Sequence, residues 1–345
     1  MTVSKSILSK ISRMFNNIAY VSNTGNNATG MIGNPAKHFA TAAAAIAAAE
    51  SSSQELVLKV LLGSFDAPPQ SALSRGNITI IGSGRPFYNS NVTQASMSAI
   101  GFPAPTKLVG GTIFKGALKF LDVASGIKIY NLGVDVGPDY LAAGGTEDNG
   151  VLIYRSTAND GSTTDTTPYP LTTNIELKNL IVLGKNSSSA FHGVDIENSF
   201  NPSVEDIITC YATHGVAIKC NHGNFKNITA FNHATDGIII KSNSYSNCTK
   251  INLNGFATYN CGAGVILQNR NAVSAMSDIN IVNGFCQGGV NGFKVINDYN
   301  QGFKSISLDN IHVRGASSTG FLTTGLTSSN TRMVGCWDND TLTQI

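Results

Sequence analysis

Charge is scarce in this 345-residue chain: Asp, Glu, Lys and Arg together make up 13%, about half the usual globular share. Its polar surface must come from uncharged groups, and Asn, Ser and Thr are abundant beside 35 glycines. That composition suits a turn-rich β protein better than a helical one. The net charge is only +2 and no basic run occurs, so a nucleic-acid partner is not expected. No stretch approaches the ~18 consecutive apolar residues of a membrane span. Between Lys5 and Arg13 there is neither an uninterrupted apolar core nor a small-residue cleavage site, so general secretion is not expected. The six cysteines (Cys210, Cys220, Cys248, Cys261, Cys286, Cys336) form no C-x-x-C pair and no metal spacing. They read as buried, reduced thiols; no metal site and no cofactor is expected. Hydrophobic residues, at 42%, are sufficient for a large core and exclude a disordered chain.

What is present is a repeat. Glycine followed by alternating apolar residues recurs as Gly150-Val151-Leu152-Ile153, Gly193-Val194-Asp195-Ile196, Gly215-Val216-Ala217-Ile218 and Gly237-Ile238-Ile239-Ile240. It continues as Gly264-Val265-Ile266-Leu267, Gly292-Phe293-Lys294-Val295 and Gly320-Phe321-Leu322-Thr323. From Gly193 onward the glycines are 22, 22, 27, 28 and 28 residues apart, the length of one solenoid coil. The period of two marks a strand in each coil. Its inward columns would stack like on like at ~4.8 Å per rung. About ten residues before each glycine stands Asn or Asp next to an apolar residue: Asn179, Asp206, Asn227, Asn254, Asn283 and Asn310, with Asn131 as an earlier member. Asn tolerates the left-handed backbone of a tight corner, and stacked amides can bond along the axis. The fold expected is all-β: a single-stranded right-handed parallel β-helix of roughly ten coils.

At this point the chain resembles the pectate-lyase-like parallel β-helix superfamily, and within it bacteriophage tailspike and tail-fibre proteins. The entry segment Tyr20–Asn26 with Asn34–Phe39, the strand Leu56–Val60 and the stretch Asn77–Gly82 extend the resemblance over roughly residues 20–335. The superfamily hosts lyases, hydrolases, epimerases and inert fibres, so the resemblance speaks for fold more than for activity.

A solenoid must be capped at its ends. Residues 36–50 have strong helix propensity, with Phe39, Ala43, Ile46 and Ala47 on one stripe, and are expected to form the N-terminal cap. Residues 1–19 carry a second amphipathic pattern (Ile7, Ile11, Phe15 and Ile18 opposite Lys5, Lys10 and Arg13). That helix can fold back, dock onto a trimer partner or a larger particle, or lie on a membrane surface. Residues 83–108 and 156–173 interrupt the repeat as projecting loops and are the first guess for ligand contacts. Residues 336–345 form a tail or cap.

Outward positions narrow the chemistry. The column two after the glycine (Leu152, Asp195, Ala217, Ile239, Ile266, Lys294, Leu322) is mostly apolar, which requires a cover: a neighbouring subunit, a loop or a helix. Glu197 and Lys219 would sit one coil apart and pair. The best catalytic candidates are His192, His214 and Asp236, at equivalent positions of successive coils, with Asp195 nearby. A stacked imidazole and carboxylate can serve as general acid and base. Against that stands the general preference for polar residues before a turn glycine. The signatures of polygalacturonase-like hydrolases and pectate lyases are missing. The resemblance and these features imply a bacteriophage virion appendage, made in the host cytoplasm without a signal peptide. It would be a homotrimer that docks to other tail proteins through its N-terminal helix and binds host surface polysaccharide. The alternative is a polysaccharide-degrading glycoside hydrolase or lyase on the same fold.

Overall fold

The computed structural model describes residues 17–49, 55–89, 105–145, 148–155, 171–184, 191–242, 248–270, 275–298, 302–323, 326, 331–338 and 343–344. The segment expected to form the first amphipathic helix lies almost entirely outside these residues. Among the described residues, no helix is long and apolar enough to cross a membrane.

The chain is an all-β parallel β-helix. One long sheet runs through Ile18–Val21, Leu56–Val60, Ile78–Gly82, Ser125–Asp135, Thr173–Leu183, Ser203–Cys210, Asn224–Phe231, Thr249–Tyr259, Met276–Gln287 and Phe303–Arg314, each strand parallel to the next. A shorter sheet of eight strands carries the glycine repeats, from Leu118–Leu121 to Thr319–Leu322. Most long-sheet strands bend in the middle, so each full coil has three faces around one core.

The bends explain the Asn column. Asn131, Asn179, Asp206, Asn227, Asn283 and Asn310 all have φ between 52° and 56°, a region that Asn and Asp enter more readily than other side chains. Asn179 donates its amide to Asn131 Oδ1 at 2.8 Å, Asn227 to Asp206 at 3.0 Å, and Asn310 to Asn283 at 3.0 Å. One coil departs from the expected register. Gly255, not Asn254, occupies the corner, with φ +73°. Asn254 stands one residue earlier, yet its Oδ1 still accepts from Asn283 at 3.0 Å.

The glycine column has a different cause. Its backbone is not left-handed; the obstacle is space. A Cβ on Gly193, Gly237, Gly264 or Gly292 would lie 2.6–2.8 Å from the carbonyl oxygen of the glycine one coil on. A Cβ on Gly237 would also meet the Thr258 side chain at 2.7 Å. The glycines mark the corner where the second long-sheet face turns into the short sheet. Behind them Val194, Val216, Ile238, Val265 and Phe293 are fully buried, as are Ile196, Ile218, Ile240 and Leu267. All six cysteines are buried thiols, none bonded to another, and burial pushes Cys261 and Cys286 up to about 12.

The ends differ from the sequence reading. The cap helix spans only Ala42–Ala47, with Ala42, Ala45 and Ile46 buried, rather than residues 36–50. Propensity loses upstream because Phe39 is drawn into the core beside Val21, and its N–H bonds to Tyr20 O. The Asn27 carboxamide then accepts from Ala40 and Thr41, and Thr41 caps Ala44. At the other end the solenoid runs past residue 335. Thr331–Val334 pairs parallel with Ile306–Asp309, and Trp337–Asp338 with His312–Val313, so residues 336–338 belong to it. Gly335, φ +62°, takes the corner aligned with Asn310.

The flanks of the 83–108 excursion also fold back. Phe87–Tyr88 pairs antiparallel with Leu108–Val109. This hairpin covers an outward apolar cluster of Ile181, Leu183, Cys210, Phe231 and Tyr259. Tyr88 meets Phe231 edge-on at 5.4 Å, and its hydroxyl donates to Val182 O at 3.3 Å.

Gly237→Ala should destabilise the protein by about 1–3 kcal/mol through overpacking. Gly84→Ala, whose nearest foreign atom is 4.0 Å away, should be close to neutral. Urea midpoints of the two variants at constant m-value check this.

Candidate functional site

The short sheet brings the four candidate residues together on its outer face. His192, His214 and Asp236 are paired in register on three successive strands, and Asp195 pairs with Ala217. The backbone before each glycine does not hold strict alternation, which lets His192 turn toward its own coil's Asp195. His192 Nδ1 lies 2.7 Å from Asp195 Oδ2. His214 Nδ1 is 2.8 Å from Asp236 Oδ2, but the geometry does not make a hydrogen bond. The two imidazole rings are 4.9 Å apart and inclined by 39°.

Lys219 completes the cluster. Its ammonium donates to Asp195 Oδ2 at 3.1 Å and to Glu197 Oε2 at 3.0 Å. Spacing alone pairs Glu197 with Lys219; in the structure the Lys219 side chain is 12% exposed and holds Asp195 as well. Burial raises the Asp195 carboxyl, but the hydrogen bonds and charges of His192 and Lys219 outweigh it and leave Asp195 below the usual range. Burial lowers Lys219, and the two carboxylates more than reverse that. Lys241, at the matching position of the next coil, is lowered by burial and by the charges of Arg270 and Lys219.

Chemically, a carboxylate at Nδ1 fixes the imidazole's tautomer and leaves Nε2 to exchange protons. His192 and His214 make no Nε2 hydrogen bond among the described residues and retain 15% and 18% side-chain exposure. The pair therefore offers one imidazole oriented by a carboxylate hydrogen bond, His192, and a second 4.9 Å away with a carboxylate close to its Nδ1, His214.

The adjacent apolar column does not present the open stripe that its sequence suggested. Ala217, Ile239 and Ile266 are at most 6% exposed within the single chain and cluster with Ala263. It therefore gives no argument for a subunit interface.

No protein-family model matches the chain, and no curated protein matches it. Among solved structures it is similar to the A-module of the Azotobacter vinelandii mannuronan C-5 epimerase AlgE6, at 14% identity over 85% of this chain and 93% of that module, with a TM-score of 0.39. A likeness this distant says nothing of the site.

Sequence reasoning missed His233. It is 3% exposed, takes the Ala212 N–H on Nδ1 at 3.0 Å, and shares a hydrogen bond between Nε2 and Thr209 Oγ1 at 3.0 Å. It fills the turn behind Gly215, where a Cβ would lie 2.8 Å from its Nε2. Nothing in its sequence neighbourhood distinguishes it from a surface histidine. Burial lowers it from 6.5 to about 4. The unfolded chain therefore takes up this proton first as the pH drops. Stability from His233 is complete above about 6.5 and declines until about pH 4, a loss of about 3 kcal/mol. Urea titrations across that window should show the decline, and His233→Gln should remove its share of the slope.

Proposed function

We propose that the chain is a bacteriophage appendage of the spike or fibre kind that binds a host surface polysaccharide and cleaves it with the His192/His214 cluster. The observation that carries the catalytic part is the pair of imidazoles, each with a carboxylate within 2.8 Å of Nδ1 and with no Nε2 hydrogen bond among the described residues. The appendage part is supported by the elongated solenoid, its low charge and its Asn, Ser and Thr-rich surface. In this reading the protein assembles as a homotrimer and docks through residues 1–19.

Cleaving a glycosidic bond needs one group that accepts a proton and one that gives a proton to the departing oxygen. His192, oriented by Asp195, takes the proton on Nε2, from a water in hydrolysis or from a ring carbon in elimination. His214, beside Asp236, delivers one to the glycosidic oxygen as the C–O bond breaks. Lys219 keeps Asp195 in place and ionised. It touches no reacting atom and acts as a positioning residue.

Incubation with host capsular or lipopolysaccharide glycans, followed by reducing-end and unsaturated-sugar assays, tests the reading. His192→Ala, His214→Ala and Asp236→Ala should each lower turnover by about 10²–10⁴-fold while glycan binding persists. Unchanged turnover in the His192/His214 double variant removes the cluster from the mechanism. Light scattering should give about three times 36.2 kDa; a monomer would overturn the trimeric spike.

A further inference from the structure

A second candidate site lies away from the short sheet. The hairpin stem, the strand Gly63–Asp66 and the short helix Pro138–Ala142 enclose a cleft of about 710 Å³, within the size range of small-ligand sites. None of its lining residues belongs to the His192/His214 cluster.

The cleft is firmly built. Asp135, 4% exposed, accepts from the Leu108 N–H on Oδ2 at 2.8 Å and from the Gly137 N–H on Oδ1 at 2.9 Å, tying hairpin and helix to the solenoid. Burial raises its carboxyl even so. Lys107 and Asp139, 3.7 Å apart, span from the hairpin to the helix. The Tyr140 ring is fixed against Gly145 and Gly116, where added Cβ atoms would meet it. Gly63 bonds through its N–H to Gly111 O at 2.9 Å.

Its chemistry is mixed. Leu62 is 64% exposed, and Phe87, whose ring lies over Gly110 at the rim, is 63% exposed. With Tyr140 they give apolar and aromatic faces of the kind that pack on a sugar's C–H side. Around them stand a hydroxyl (Ser64), a cation (Lys115) and a carboxylate (Asp139), both donors and acceptors for sugar hydroxyls. Lys115 lies in register with Asp66 and Asp135, so its charge is offset without an ion pair to either. Among the lining residues the cations Lys107 and Lys115 are matched in number by the carboxylates Asp135 and Asp139, so the cleft presents no excess of positive charge to an acidic ligand.

We propose that this cleft is a non-catalytic seat for a neutral saccharide. It holds one or two sugar units through Leu62, Phe87 and Tyr140, with Ser64, Lys115 and Asp139 reading hydroxyls. The seat does not depend on catalysis at His192.

The test is saturation-transfer NMR on the full chain with methyl glycosides of glucose, galactose, mannose and N-acetylglucosamine and their neutral oligomers, with galacturonate oligomers as the acidic comparison. At least one neutral sugar should show transfer. Ser64→Trp, at an exposed position facing the cleft, and Phe87→Ala should weaken it at least tenfold with unchanged melting temperature. His192→Ala should leave it intact. Transfer that survives Ser64→Trp, stronger transfer to the galacturonate oligomers, or none to any neutral sugar would overturn the proposal. Loss with His192→Ala but not with Ser64→Trp would assign the binding to the short-sheet site instead.

Discussion

Parallel strands that stack without slipping require each coil to turn its corners directly above the coil below. A one-residue slip would move every core side chain to the outside. In this protein two sequence devices at the corners meet that demand. Left-handed Asn and Asp fix one bend and bond along the axis. Glycines at another bend let the backbone of one coil sit against the next coil's carbonyl. With these corners fixed, the apolar columns fall into line. Large and small residues then complement each other between rungs: the Phe256 ring occupies the space that a side chain on Gly284 would need.

The same registration creates the candidate site. His192, His214 and Asp236 are 22 residues apart in sequence, and stacking makes them neighbours. A β-helix thus converts a coil-length period into a row of side chains, so chemistry can be assembled by residues that sit in no local motif. The cost is burial. Asp195 and Lys219 are largely enclosed: Asp195 depends on His192 and Lys219 for its charge, and Lys219 on Asp195 and Glu197.

The short-sheet strands were legible because glycine followed by period-two apolar residues is strong and repeated. The corner column was legible except at Gly255, where glycine does the work of Asn and the nearby Asn254 misleads the eye. The extent of the cap helix was not, because the core claims Phe39 against the local preference of an Ala-rich stretch. The last rung was hidden for a related reason: Gly335 replaces the Asn that marks the others. Of the candidate site, the row of His192, His214 and Asp236 could be read from spacing. So could the Glu197–Lys219 pair. The pairing of His192 with Asp195 could not, because it depends on a break in alternation that spacing does not record, and the reach of Lys219 to Asp195 was not drawn from it. The hairpin that carries Tyr88 and Phe87 looked like loop because its covering role depends on an outward apolar face some hundred residues downstream.

The backbone hydrogen bonds of the long sheet and the Asn amides point along the solenoid axis, across its strands. A pull on the two ends therefore loads the rungs in series, and the weakest junction decides when the rod parts. Among the described residues the corner amides bridge Asn131 to Asn179, Asp206 to Asn227, and Asn254 through Asn283 to Asn310. The column is interrupted between Asn179 and Asp206 and again between Asn227 and the Gly255 rung. Other side chains span both gaps: Lys178 pairs with Glu205 at 2.8 Å across the first, and at the next corner Asn260 donates to Asn232 at 3.3 Å across the second. Under tension neither gap is an unbraced joint, because a load dropped at one corner is taken up by side chains elsewhere on the same coil.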